Sequence, residues 1–141
     1  MKGSKARKEE EWRWGQRPAP LAGARGFQLW RSAMAWQRAV EAALGPSGLT
    51  HTQYLVLATV EQLMHEIQDA VSQQAIARRA GVDPVTTSRV LRALELRGLC
   101  SRGPCGVDTR ELRVGISGEG LALVHDAGPS VEAAQLAFFA T

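Results

Sequence analysis

Two helix starts separated by one tight turn constrain this chain more than any other feature in it. In the stretch SQQAIARRAGVDPVTTSRVLRALELRG, Ser72 offers a hydroxyl to the free amides of a first turn. Gly81 supplies the left-handed residue that ends the same helix. Asp83 caps the next helix, with Pro84 at its first position, where the missing N–H costs nothing and the fixed φ already suits a helix. The spacing therefore predicts a helix of roughly two turns, a tight turn, and a second helix that Gly98 ends.

In the second helix, Thr87, Val90, Leu91 and Leu94 recur at the helical period and form the buried face. Val85, Thr86, Ser88, Arg89 and Arg92 are left pointing outward. An outward face that is short, polar and cationic, on a helix braced by a preceding one, is the helix-turn-helix arrangement that enters a major groove. Downstream, LCSRG and ELRVGIS alternate as strands. They are separated by a Gly- and Pro-rich loop that carries Asp108 and Arg110. Two helices followed by a two-stranded hairpin read as a winged helix.

The residues now in view resemble the multiple antibiotic resistance regulator (MarR) family of bacterial transcription factors. The resemblance is carried by Leu49-Thr50 with Gln53, Ile76-Ala77, Gly81-Val82-Asp83, Leu94 and Gly98-Leu99. It continues through Arg102, the Asp108-x-Arg110 wing signature, and Ser117 with Gly120. It covers Phe27 to the C-terminus. It implies a mainly α fold with a small β-hairpin wing, and a dimer built by intertwined N- and C-terminal helices. The bound target would be double-stranded DNA carrying a pseudo-palindromic operator, and the regulator would be a repressor. Residues 1–26 are expected as a basic tail, 27–45 and 118–141 as dimerisation helices, and 49–117 as the DNA-binding lobe.

The helix-turn-helix reading gives each side chain a role. Val85, Thr86, Ser88 and Arg89, beside Pro84, are expected at major-groove edges. Gln73, Gln74, Arg78, Arg79 and Arg92 are expected at phosphates. The resemblance sends Arg110 into the minor groove with Asp108 orienting it. It also places any small-molecule effector between the dimer helices and the DNA-binding lobe, where Trp30, Met34 and Trp36 are the candidates. Two positions depart from the family: Thr87 stands where an aliphatic residue is usual, and Thr109 replaces a basic wing residue. The chain also stops soon after Phe139, so the last dimer helix is expected to be abbreviated or absent.

Charge supports nucleic acid as the partner. The net charge of +3 conceals a partition: residues 72–117 hold eight basic and four acidic groups, and residues 118–141 hold three acidic and no basic ones. Cations gathered on the helix-turn-helix and the N-terminal tail suit phosphate neutralisation. Residues 1–26 hold all three lysines, and Trp12 and Trp14, which want a surface to dock on.

From Phe27 to Leu44 an alanine-rich helix places Phe27, Trp30, Met34, Val40 and Leu44 on one stripe, closed by Gly45-Pro46. Thr50 and Gln53 form a capping box for the next helix, with Tyr54, Leu55, Leu57, Ala58, Leu63 and Met64 as its apolar set. Ser117 caps a last helix carrying Leu121, Val124, Val131, Leu136, Phe138 and Phe139, which Gly128-Pro129 should kink or break. Apolar stripes of this extent on a small domain call for a second copy.

No nucleophile elbow, phosphate loop or metal-ligand spacing is present, and His51, His65 and His125 fall in no register. The chain is therefore read as a non-enzyme without cofactor or metal. No apolar run is long enough to span a bilayer and no signal peptide opens the chain, so the expected location is the cytoplasm. Cys100 and Cys105 read as small side chains; their rival reading is a redox-sensing pair. A second rival is a winged helix used for protein rather than DNA. That use calls for an acidic or apolar second helix in place of Thr, Ser and Arg.

Overall fold

The computed structural model describes residues 21–105 and 108–140, with side chains described outside 105–111. The chain divides into two compact units, residues 1–35 and 36–141. Helix α1 (Arg25–Leu44) begins in the first and ends in the second. Within the first unit, Phe27 and Trp30 stack with ring centroids 6.0 Å apart and Arg31 lies over the Phe27 ring.

The second unit continues through a 3-10 turn (Gly45–Ser47), α2 (His51–Ile67), a two-residue strand β1 (Val71–Ser72), α3 (Gln73–Ala80) and α4 (Pro84–Leu96). Strands β2 (Cys100–Cys105) and β3 (Asp108–Ile116) follow, and then α5 (Gly118–Phe139). The helix starts are set by the caps expected from sequence. Thr50 and Gln53 exchange side-chain bonds to each other's amides, each 3.1 Å. Ser72 Oγ accepts from the Ala75 amide at 3.1 Å, Asp83 Oδ1 from the Thr86 amide at 2.8 Å, and Ser117 Oγ from the Gly120 amide at 3.0 Å. Gly81 ends α3 at φ 69°, a conformation that an L side chain adopts only under strain.

The core of the second unit gathers Leu49, Val56, Leu57, Val60 and Leu63 around Ile76, Leu91 and Leu94, closed by Leu99, Val114 and Val124. Each such aliphatic side chain contributes about 1.5–3 kcal/mol by leaving water. Thr87 is fully buried among them. Its hydroxyl donates to the Asp83 carbonyl at 2.9 Å, so the unusual residue in this core has its partner one turn back.

The structure corrects the sequence reading in three places. The sheet has three strands in the order β1-β3-β2, with Val71 opposite Val114 as the added pair. The hairpin strands run further than expected: Cys105 pairs with Asp108, so Asp108 and Arg110 lie on β3 rather than in a long loop. A register shift between Pro104 and Cys105 absorbs the proline, which cannot donate to the ladder. Finally, α5 runs through Pro129 without a break. Val124, Ala127 and Val131 are buried on both sides of it, and that packing outweighs the single lost backbone bond.

Candidate nucleic-acid interface

Helices α3 and α4 meet at the Gly81 turn and expose one polar, cationic face. Val85 is 68% exposed although apolar, and Arg89 and Arg92 stand open beside it. Pro84, Val85, Ser88, Arg89 and Arg92 line one shallow groove of about 440 Å³. Gln74, Arg78, Gly81 and Asp83 line part of a neighbouring one of about 550 Å³, which Pro84 shares. The face is regular because the alternate face of α4 (Thr87, Leu91, Leu94) is fully buried, which fixes the helix's rotation about its own axis. Asp83 at the turn keeps its carboxyl below the usual carboxylate range, because the Thr86 side chain and amide hydrogen-bond to it.

Two expected phosphate contacts have protein partners. Arg79 forms a bidentate pair with Glu66 of α2, both bonds 2.9 Å, and this pair holds the Glu66 carboxyl low and the guanidinium high. Gln73 is half-buried, with its amide oxygen 3.2 Å from Arg102 Nη1. The side chains of Asp108, Thr109, Arg110 and Cys105, and all of residues 1–20 including Trp12 and Trp14, lie outside the described residues.

Sequence reasoning missed Arg97, and it named Arg102 only as part of the family resemblance, without its contacts. Arg97 caps α4 and its two terminal nitrogens donate to the carbonyls of Gly48 and Ser47, at 3.1 and 3.2 Å. Arg102 donates to Glu95, Gln73 and Ser88. No local spacing could have indicated either, since their partners are remote in sequence.

Of the effector candidates, Trp30 is 57% exposed and Met34 partly so, both in the first unit. Trp36 belongs to the second, packed with Tyr54 against Val40, Leu44, Ala127 and Val131. Its ring meets His51 edge-on with centroids 4.8 Å apart, and its buried Nε1 has no acceptor among the described residues. Burial pushes His51 down against the pull of Glu41, and it pushes the Tyr54 phenol up.

Cys100 is buried, with its sulfur 3.6 Å from the Leu91 carbonyl. Burial and the nearby Glu95 carboxylate push the thiol up to about 11, against the opposing pull of Arg102. In the folded protein it is therefore a neutral thiol at pH 8. Mass spectrometry after iodoacetamide treatment should find Cys100 unmodified when folded and modified after denaturation; comparable rates in the two states would contradict this. Because the folded thiol titrates above its ordinary value of 9.0, its contribution to stability is full below that pH and is lost as pH climbs toward about 11.

Among the described residues no helix is long and apolar enough to cross a membrane. The fold and the exposed face of α4 together define a winged helix-turn-helix protein. The MarR family profile matches residues 49–112. YdcH of Bacillus subtilis (strain 168), an uncharacterized HTH-type transcriptional regulator, is 33% identical over 115 residues, covering 82% of this chain and 78% of that protein. CouR from Rhodococcus jostii RHA1, solved bound to p-coumaroyl-CoA, superposes with a TM-score of 0.71 at 31% identity, covering 86% of this chain and 82% of that one. The M. tuberculosis transcriptional regulator MOSR, solved in complex with DNA, superposes with a TM-score of 0.72 at 28% identity, covering 84% and 82%. This chain belongs to the MarR family: it is a DNA-binding transcriptional regulator and not an enzyme.

Proposed function

We infer that the protein is a cytoplasmic homodimeric repressor that binds a pseudo-palindromic operator and releases it when a small molecule occupies the helical part of the subunit. The observation that carries the reading is the face of α4, where Val85, Arg89 and Arg92 stand exposed around one groove with no role in the core. In this reading Val85, Thr86, Ser88 and Arg89 meet base edges, with Pro84 setting the approach. Gln73, Gln74, Arg78 and Arg92 meet phosphates. Arg79 joins them only by leaving Glu66, and that pair is exposed to solvent, which weakens its hold. Arg110, aimed by Asp108, takes the minor groove.

Exposed Leu136 and Phe139 on α5 and Leu29 and Trp30 on α1 are apolar surface for a second copy to cover. The effector reading rests on Trp36: an indole N–H buried without an acceptor among the described residues, on a side chain that packs with Tyr54 against an apolar wall, suits a flat ligand carrying a hydrogen-bond acceptor. That CouR was solved with p-coumaroyl-CoA supports a ligand-responsive regulator of this kind.

Selection of duplexes from a random library should recover a palindrome whose half-site centres lie about 10–10.5 base pairs apart, or a multiple of that. Sedimentation at micromolar concentration should give a dimer. A monomer that retains full DNA affinity would overturn the assembly, and enrichment of single half-sites would overturn the operator geometry.

A further inference from the structure

Arg102 stands on β2 at the base of the wing with its side chain only 12% exposed. Its Nε donates to Glu95 Oε2 at 3.1 Å. Its Nη1 lies 3.2 Å from Gln73 Oε1, 3.3 Å from Ser88 Oγ and 3.4 Å from the Ser88 carbonyl oxygen. One guanidinium thus ties the start of α3 to the middle and end of α4.

A guanidinium carries N–H donors and no acceptor, so every atom it meets must turn a lone pair toward it. This decides what remains for other partners. With its amide oxygen held by Arg102, Gln73 directs its NH2 group away, and that group has no acceptor among the described residues. Ser88 gives one of its two lone pairs to a cation, and this charge-assisted bond polarises its O–H into a stronger donor. A free serine or glutamine can donate or accept and so tolerates either kind of base edge. Held this way, Gln73 presents its NH2 donor, and Ser88, with a guanidinium beside its oxygen, favours donating over accepting from a further N–H.

We propose that Arg102 is a positioning residue that makes donors of Gln73 and Ser88, so that Gln73 addresses a phosphate oxygen and Ser88 an acceptor atom of the major-groove edge. Purine N7, guanine O6 and thymine O4 suit Ser88 better than the amino groups of adenine and cytosine, which would have to donate to an oxygen already facing a cation. The inference rests on α4 being the DNA-reading helix.

The probe is the tightest duplex recovered by selection, titrated against single-base variants. Arg102→Lys keeps the charge but places every donor on one nitrogen, so it cannot span Glu95 and the Gln73–Ser88 pair as Nε and Nη1 do. It is expected to lower affinity for the selected duplex about tenfold, with an unchanged salt slope, and to relax preference at one base pair per half-site. Ser88→Ala should relax the same base pair in the parent and change almost nothing in the Arg102→Lys background. A merely structural arginine would instead lower melting temperature and weaken all sequences alike, and the two substitutions would multiply.

Gln73→Glu covers the case in which Arg102→Lys folds poorly. It keeps the acceptor for Arg102, and so the fold, but removes the NH2 donor. It should weaken binding about tenfold at unchanged melting temperature, and parent-like affinity would overturn the inference. Arg89→Ala separates the two levels of argument. If it relaxes specificity while Ser88→Ala does not, the donor assignment fails and α4 remains the reading helix; if neither does, the reading of α4 itself fails.

Discussion

Replacing Gly120 with alanine is expected to destabilise the fold by about 3 kcal/mol, more than any exposed substitution on this chain. Gly120 sits in the first turn of α5, where a Cβ would land inside contact distance of the Leu99 carbonyl oxygen and 3.0 Å from Ile116 Cγ1. The clash cannot be relieved by a side-chain movement, because its partner is backbone. That carbonyl already accepts from the Ser117 amide at 3.0 Å, and the Ser117 hydroxyl donates to the Gly98 carbonyl at 2.7 Å. The segment that would have to retreat is therefore bound at both ends to the residue capping α5, and Leu99 is itself in the core. Urea denaturation should show a lower midpoint with an unchanged slope. Gly118→Ala is the control: nothing lies within 4 Å of its Cβ position, and it should be neutral or slightly stabilising. A parent-like midpoint for Gly120→Ala would show that the start of α5 does not sit against the α4–β2 junction as described.

The second large effect concerns recognition. Arg89→Ala is expected to cost about 1–3 kcal/mol on the selected operator and to relax preference at one position per half-site. Arg89 is exposed on the groove-lining face of α4 and leaves the core untouched when removed. Arg78 lies one helix earlier, along the neighbouring groove, so Arg78→Ala should weaken all sequences alike and reduce the salt dependence by about one unit. Fluorescence anisotropy on specific and random duplexes, repeated across salt concentrations, separates the two. Equal loss on both duplexes for Arg89→Ala would remove α4 from the role of reader.

What could be read from the sequence was what is decided within a few residues. Ser72, Asp83, Ser117 and the Thr50–Gln53 box each bond to an amide three positions away, so residue type and spacing suffice to identify them. The buried face of α4 was legible for the same reason. Strand β1 was not, because two residues show no period and Val71 becomes a strand only through Val114 on the far side of the wing. Pro129 argued for a kink or a break, and the helix continues through it because side chains on both sides are buried. At the interface, the exposed set Val85, Arg89 and Arg92 followed from periodicity, whereas the engagement of Arg79 by Glu66 and of Gln73 by Arg102 joins separate elements and leaves no mark in the linear pattern.

Helix α4 is fastened at three heights: by the Asp83 cap at its start, by Arg102 at Ser88, and by Arg97, which anchors its end to the turn between α1 and α2. Val85, Arg89 and Arg92 take part in none of these fastenings. Each can be exchanged at a stability cost within about 0.5 kcal/mol, the usual range for surface positions. With α4 as the proposed reading helix, retargeting this regulator to a different operator is a matter of replacing side chains on a fixed rod. A lineage descending from it could drift in binding preference without first acquiring compensating changes in its core.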